Sequence, residues 1–373
     1  MIMTQSSGIN PRNIKPTIRN NMDNKISLRF SAIDPVYEKS IPEPVEKEYS
    51  GKDFISYGVD NAYPQFLFDL VNDCATLSSI INGIVDYVKG NGAKSSIMTD
   101  EEAEDFIEKT ATDYLTFGAF YWQIIRSMTG KIQKIVWLDA RFVRTDRDNN
   151  LFWYSEEFGK KYGRTGKAIV YPRYTEERID PESVICVKAP LSRGVYGNPI
   201  WSGAIKDAVI QTKIEDFHLN ELSNNFMGSA VISFNNGVPT DEEKKEIEKN
   251  VAEKFGGAEN SARFLLLFND SKDNATTVER LSSDDFDERY ESLAKRSREQ
   301  IFIAFRATPS LFGLATADNA FNSEEYEQSF RLFNKTVVRP IQVKITSALA
   351  KLFGADVMTI DPFNLNESET NVQ

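Results

Sequence analysis

Apolar positions along the chain change period several times, and the changes divide it into elements. From Met1 to about Lys52, Pro11, Pro16, Pro35, Pro42 and Pro44 lie among polar and charged residues with no sustained period. That pattern predicts an extended N-terminal arm over residues 1–50. Helical spacing begins at Tyr63-Pro64, where proline suits a first turn and Phe66, Leu67, Leu70 and Val71 recur three and four apart. A second stripe, Leu77, Ile80, Ile81, Ile84, Val85 and Val88, runs into Gly90-Asn91-Gly92, residues that tolerate positive φ and stop a helix. A third helix is predicted from Asp100 to about Gly118. A strand from Ala119 to Arg126, a turn at Met128-Thr129-Gly130-Lys131 and a returning strand from Ile132 to Leu138 follow. Short strands over Leu151–Tyr154, Ala168–Tyr171 and Val184–Val187 complete an α+β body spanning residues 51–198.

Beyond Pro199 the texture changes. From about Ile200 to Phe226 only Gly203 interrupts a helical run with two apolar sides: Trp201, Ala204, Ile205 and Ala208 on one, Ile210, Ile214 and Phe217 on the other. A helix with two apolar faces needs two packing partners: a deep core in a monomer, or its own hairpin partner plus a neighbouring copy in a ring. A β-α-β-β insert is expected next, with strands at Val231–Phe234, Arg263–Phe268 and Thr276–Leu281. A short helix opened by a capping box at Thr240-Asp241-Glu242-Glu243 and closed by Gly256-Gly257 lies between the first two. A second long helix starts at Ser282 or Ser283, acidic in its first turns, with Phe286, Tyr290, Leu293, Ser297 and Ile301 along one stripe. Ala307 to Gly313 break it, a loop of small residues follows, and Asn322-Ser323-Glu324-Glu325 caps a last helix to Phe353. Pro340 inside that helix predicts a kink near Thr336.

The 373 residues are 41% hydrophobic and 12% aromatic, ample for a core with several subdivisions. The formal charge of −11 argues against a chain that grips a nucleic-acid backbone by charge, while an acidic surface suits a passage along which a polyanion slides. Cys74 and Cys186 are too few for a disulfide framework and are read as reduced, buried thiols. The polar N-terminus lacks a signal-peptide core and no stretch reaches about 18 apolar residues, so a cytosolic chain without membrane contact is expected.

Catalytic chemistry is sparse. His218 is the single histidine, so neither a histidine metal cluster nor a zinc-binding histidine pair can be built, and it reads as a packed or interfacial residue. Gly90-Asn91-Gly92-Ala93-Lys94-Ser95 lacks the glycine a phosphate loop needs before its lysine. Asp284-Asp285-Phe286-Asp287 and Asp146-Arg147-Asp148 fit no calcium loop and read as solvated faces. No catalytic residue, metal ligand or cofactor is expected. Lys295, Arg296 and Arg298 are candidate contacts to DNA or to a neighbouring subunit, against the plainer reading of an exposed helix face.

The order of parts resembles the portal proteins of tailed bacteriophages, over most of residues 55–353. The helix ending in Gly90-Asn91-Gly92 is followed by Leu115-Thr116-Phe117-Gly118-Ala119-Phe120-Tyr121-Trp122, which looks like the family's lead into a strand of the wing. Tyr196-Gly197-Asn198-Pro199-Ile200 resembles the Tyr-Gly-x-Ser-Pro-Leu signature before the first stem helix, one residue shorter. The segment Ile303 to Gly313 carries Thr308-Pro309-Ser310 where the family writes Val-Pro-Pro, and Phe330 through Pro340 resembles the helix with the Thr-Leu-x-Pro step.

The resemblance implies a portal fold: an α+β wing (51–198), stem helices (199–228 and 283–306), a small αβ clip insert (229–282), a tunnel loop (307–322), a long kinked wing helix (323–353) and a short tail (354–373) with the crown reduced or absent. It implies a ring, usually of twelve subunits, at one capsid vertex of the virion, assembled in the bacterial cytoplasm. Expected partners are the major capsid protein, the terminase large subunit, a neck adaptor and double-stranded DNA passing without sequence specificity. Ala315, Thr316, Asp318, Asn319 and Asn322 would line the constriction. Trp201, Ile205, Ile210, Ile214, Phe217, Phe286, Tyr290 and Leu293 would pack the stem. The competing readings are another phage neck or scaffold-associated ring protein, and a metal-dependent enzyme.

Overall fold

Eleven residues from Tyr63 open the helical part of a computed structural model that describes residues 41–49, 53–159, 168–223, 230–234, 239–255, 264–268, 284–314 and 323–364. Helix α1 (Tyr63–Asp73) has Pro64 in its first turn and buries Leu67, Leu70 and Val71, and α2 (Ala75–Lys89) buries the whole stripe from Leu77 to Val88 before Gly90 ends it at φ 68°. Helix α3 (Asp100–Phe117) starts with a full capping box: the Glu102 N–H donates to Thr99 Oγ1 at 3.2 Å, and the Thr99 N–H to Glu102 Oε2 at 2.9 Å.

The three helices pack on sheets that the chain visits out of order. Strand β4 (Ala119–Arg126) lies between β5 (Ile132–Leu138) and β9 (Glu182–Lys188), antiparallel to both. A five-stranded antiparallel sheet runs β1-β2-β6-β7-β8, comprising Glu46–Glu48, Ile55–Tyr57, Val143–Thr145, Leu151–Tyr154 and Ile169–Pro172. The expected arm therefore ends earlier than residue 50: Glu46 pairs with Tyr57, and its carboxylate accepts the Tyr196 N–H at 2.9 Å. Residues 1–40 lie outside the described residues.

A further pairing joins distant parts of the chain. Strand β3 (Gly92–Ser95) runs antiparallel to β12 (Met358–Asp361), with Met358 opposite Ser95 and Asp361 opposite Gly92. The stretch resembling a phosphate loop is thus a strand. A Cβ on Gly90 would come within 2.0 Å of the Asp361 carbonyl oxygen, so glycine is needed there for packing as well as for φ.

After Pro199 the helix starts later than its sequence suggests. Ser202–Ala204 form a 3₁₀ turn around Gly203, and the α-helix α4 covers Ile205–Ser223. Glycine at the entry disfavours α-helix there, which accounts for the shift. Strand β10 (Ala230–Phe234), α5 (Asp241–Phe255) and β11 (Phe264–Phe268) form a βαβ unit with parallel strands, and the predicted capping box at Thr240 and Glu243 is present. The expected strand over Thr276–Leu281 and the closing Gly256-Gly257 lie outside the described residues. Helix α6 (Asp284–Phe305) is followed by a 3₁₀ turn at Pro309–Phe312 that Gly313 closes at φ 76°.

The last helix is interrupted where a kink was expected. Helix α7 (Ser323–Phe333) passes into a π-turn over Asn334–Val338 and then into α8 (Arg339–Phe353). Pro340 has no N–H for the Thr336 carbonyl, and the Thr336 hydroxyl donates instead to the Leu332 carbonyl at 2.8 Å. The main core runs from α1–α3 through β4 to α8 and takes in Trp201, Ile301 and Phe305. Among the described residues no helix is long and apolar enough to cross a membrane.

Candidate assembly site: a motif junction and a helix pair

The two segments singled out around Gly118 and Gly197 meet. Gly118 ends α3 at φ 69°, and a Cβ there would lie 2.2 Å from the backbone of Asn198. A Cβ on Gly197 would fall 2.6 Å from the Gly118 backbone. Two chains therefore cross with no room for a side chain on either, which only paired glycines permit. The Trp201 indole N–H donates to the Leu115 carbonyl at 2.9 Å, so the entry to α4 is clamped to the end of α3.

A buried hub supports the crossing from below. Arg144 is fully buried and has no carboxylate partner among the described residues. Its guanidinium donates to Asn61 Oδ1 (2.6 Å), the Asn61 carbonyl (2.7 Å), and the carbonyls of Arg141 (2.8 Å) and Val143 (2.7 Å). Burial pulls its pKa below the ordinary arginine value, yet four acceptors keep the cation satisfied. Asn61 holds φ at 63° to present both oxygens. Beside it the rings of Tyr57 and Tyr196 stack at 4.4 Å. The Tyr57 hydroxyl donates to the Gly197 carbonyl at 2.8 Å, and the Tyr196 hydroxyl donates to the Ile55 carbonyl while accepting the Thr145 N–H. Burial raises the pKa of both phenols, so the two hydroxyls keep their protons and act as fixed donors.

From this frame α4 leaves as one arm of an antiparallel pair. Trp201 stacks on Phe305 at 6.3 Å between ring centres, and the tilted rings of Phe217 and Tyr290 lie 4.8 Å apart, so the start of α4 meets the end of α6. Near the body the pair is buried through Trp201, Ala204, Ala208, Ile301, Phe302 and Phe305, and the Cys74 thiol donates to Gln211 Oε1 at 3.2 Å. Farther out apolar side chains are uncovered: Phe217 is 37% exposed, Leu219 63%, Leu222 56% and Leu293 37%; at the body end of α6, Ile303 is 66% exposed.

The predicted stem residues divide accordingly. Trp201 and Ile214 are buried, Ile205, Ile210 and Tyr290 are half-buried, Phe217 and Leu293 are partly open, and the Phe286 side chain lies outside what is described. Trp201 packs into the main core as well as on α6, so it belongs to the body. His218 is exposed, its ring against Phe217 and Tyr290. Lys295, Arg296 and Arg298 are exposed on α6, while Ser297 between them is buried. Ala315, Thr316, Asp318, Asn319 and Asn322 lie outside the described residues. Asp146, read as a solvated acid, accepts the N–H groups of Asn150 (2.7 Å) and Leu151 (3.1 Å) and shapes the β6–β7 turn. Both cysteines are free; Cys74 is buried, whereas Cys186 is half-buried, with its thiol pushed up to about 11 by desolvation. Sequence reasoning missed Arg144, Tyr57 and Asn61, and no local pattern separates this arginine from Arg147 three residues on.

The phage portal protein family model matches residues 98–369. The chain belongs to this family. Phage portal proteins are structural, non-enzymatic components with a portal or connector role. Among curated relatives, the phage-like element PBSX protein XkdE of Bacillus subtilis (strain 168) is 23% identical over 305 residues. The match covers 67% of this portal-family chain and 60% of the relative, so the chain spans about 60% of that protein's length. An HK97 family phage portal protein from Corynebacterium diphtheriae is similar at 14% identity and a TM-score of 0.48, covering 79% of this chain and 94% of that one. The neck of an empty gene transfer agent particle, computed with C6 symmetry, is similar at 15% identity and a TM-score of 0.47, covering 83% and 86%.

Proposed function

We propose that the chain assembles as a closed homo-oligomeric ring at one vertex of a virion capsid. In this reading the ring is the channel for DNA during packaging and ejection, and the platform on which terminase and then neck proteins dock. Family membership supplies the class. The observation that carries the ring is the α4–α6 pair, whose inner end is built into the body while Phe217, Leu219, Leu222, Leu293 and Ile303 are left uncovered in a single copy. Apolar side chains on both sides of a two-helix arm suit a head-to-tail contact, in which different faces of successive copies meet and the rotation closes a ring. Twelve subunits is the number that the family resemblance implies.

In the wing, stem and clip reading, residues 51–198 carry the wing, α4 and α6 the stem, and the β10-α5-β11 unit the clip that faces terminase. Residues 315–322 are then the loop nearest the axis, and the acidic charge of −11 favours DNA sliding over DNA adhesion. Negative-stain imaging paired with mass in solution tests the assembly. Rings with a central hole support it, and a species of 42.3 kDa at every concentration overturns it.

A further inference from the structure

A cleft of about 1200 Å³ opens between the two larger antiparallel sheets and α8, away from the α4–α6 pair. Residues 185–188 of β9 form part of its wall, with Glu46 and Glu48 of β1 and Lys344 and Lys351 of α8 around them. Strand β9 is the edge of its sheet: β4 pairs with one side, and among the described residues the other side is bridged at Val184, to Arg173. The register shows which main-chain groups are left over. The Ala189 N–H donates to the Gly118 carbonyl, so in this antiparallel ladder Val187 and Ile185 bond to β4, while Val184, Cys186 and Lys188 turn their main-chain groups outward. Two outward carbonyls are engaged, Val184 by the Tyr174 N–H at 2.9 Å and Lys188 by Lys344 Nζ at 3.2 Å. The N–H and C=O of Cys186 and the N–H of Lys188 have no partner among the described residues.

The charge of the cleft runs against that of the chain. Six cations and four carboxylates line it, in a protein whose net charge is −11. Arg147 is paired with Glu48 at 3.0 Å, and the Glu46 carboxylate is held by the Tyr196 N–H. Arg173, Arg193 and Lys351 are exposed and have no carboxylate in ion-pair reach among the described residues. Lys344 is half-buried, with its ammonium on the Lys188 carbonyl and 5.6 Å from the centre of the Tyr114 ring. Its pKa is lowered because the ammonium has given up water without gaining a carboxylate. Lys344 and Lys351 lie two turns apart on one face of α8.

These two features select one kind of occupant. Free N–H and C=O groups at strand spacing are matched by another extended main chain, and unpaired cations beside them by carboxylates. A nucleic acid supplies anions but no main chain for the edge, and a helix has already spent its main-chain groups on itself. We infer that the cleft is a docking site for an extended acidic segment of a partner protein, which adds as a strand to the open edge of β9 and sets its carboxylates against Arg173, Arg193, Lys344 and Lys351. Four residues of open edge span about 13 Å, room for a short segment. The inference stands apart from the ring reading.

The test uses the full chain and the peptide acetyl-(Glu-Val)4-amide, which alternates carboxylates with strand-forming side chains. At about 1 mM the peptide should slow hydrogen exchange at the Cys186 and Lys188 amides roughly tenfold, read by mass spectrometry, and leave α1–α3 unchanged. N-methylation of its four valines, or of its four glutamates, keeps every carboxylate, and one of the two sets removes the donors that face β9. One methylated peptide should therefore bind at least roughly tenfold more weakly than the parent. Arg193→Gln with Lys351→Gln should weaken the parent peptide roughly fivefold at low salt, and the difference should shrink at about 1 M salt. Equal binding of all three peptides would reduce the attraction to charge and overturn strand addition, as would unchanged exchange at Cys186 and Lys188. If those amides exchange slowly in assembled copies without peptide and fast in dispersed ones, a second copy covers the edge and the inference fails. It fails too if short duplex DNA displaces the peptide and binds the cleft more tightly.

Discussion

Two glycines with the same backbone conformation have different work to do. Gly118 and Gly354 both have φ of 69°, but a Cβ on the first meets the Asn198 backbone at 2.2 Å and one on the second meets nothing within 4 Å. Gly354→Ala should therefore cost only the conformational term, about 1–2 kcal/mol. Gly118→Ala adds a collision with main chain that cannot rotate away and should cost about 3 kcal/mol or more. Urea midpoints of the two variants measure the difference; equal midpoints would mean the crossing is looser than described. Asp113 gives a pH prediction. Its Oδ2 accepts the Trp137 indole N–H at 2.9 Å and the Ala140 N–H at 3.0 Å, and burial first, then the neighbouring Asp139, raise its pKa well above the usual range. The native state thus keeps this proton to higher pH than the unfolded chain, whose aspartates titrate near about 3.9. Above that value the native state binds more protons, so this group's contribution to stability falls as pH rises through the native pKa. Asp113→Asn should flatten that part of the stability–pH curve, and an unchanged slope would show that the carboxyl is not the source.

The α4–α6 pair holds a prediction at the next scale. Ser297 is 1% exposed, and its hydroxyl has no hydrogen-bond partner among the described residues. Ser297→Ala removes an unpaired buried group and improves helix propensity, so stability should rise by about 1 kcal/mol, readable as a higher melting temperature. A drop would show that the hydroxyl has a partner in the assembly. Elements of this kind were legible because their signals are local. The stripe from Leu77 to Val88, the turn at Gly130 and the capping box at Thr240 each lie within a dozen residues, and all appear in the structure. What stayed hidden depends on partners far away in sequence. β3 reads as a glycine-rich turn until Met358–Asp361 pairs with it, and Glu46–Glu48 reads as arm until Tyr57 lies opposite. Arg144 sits in a polar run, and what marks it out is Asn61, 83 residues away, whose side-chain and main-chain oxygens receive its guanidinium. At the candidate site the two helices were legible, whereas the division between buried Trp201 and open Leu219 needed the third dimension.

For the whole molecule, the question is whether the outer part of the helix pair exists to be covered. Leu219 and Leu222 are on α4 and are 63% and 56% exposed, so in a single copy a charge at either position meets water and not the core. Leu219→Glu with Leu222→Glu should leave the folded monomer's stability within about 0.5 kcal/mol of the parent, as for surface changes away from special features. In a ring the same carboxylates would be buried without a cation, at a cost of several kcal/mol per interface. Because a closed ring repeats its contact at every subunit, that penalty multiplies, and assembly should fail while the fold persists. Mass in solution, read beside the circular dichroism melting curve, separates the two effects. A normal melt with mass collapsed toward 42.3 kDa places the α4–α6 arm in the ring contact. Intact rings would move that contact to other uncovered apolar side chains, such as Leu332 on α7 and Val343 on α8, at 65% and 51% exposure.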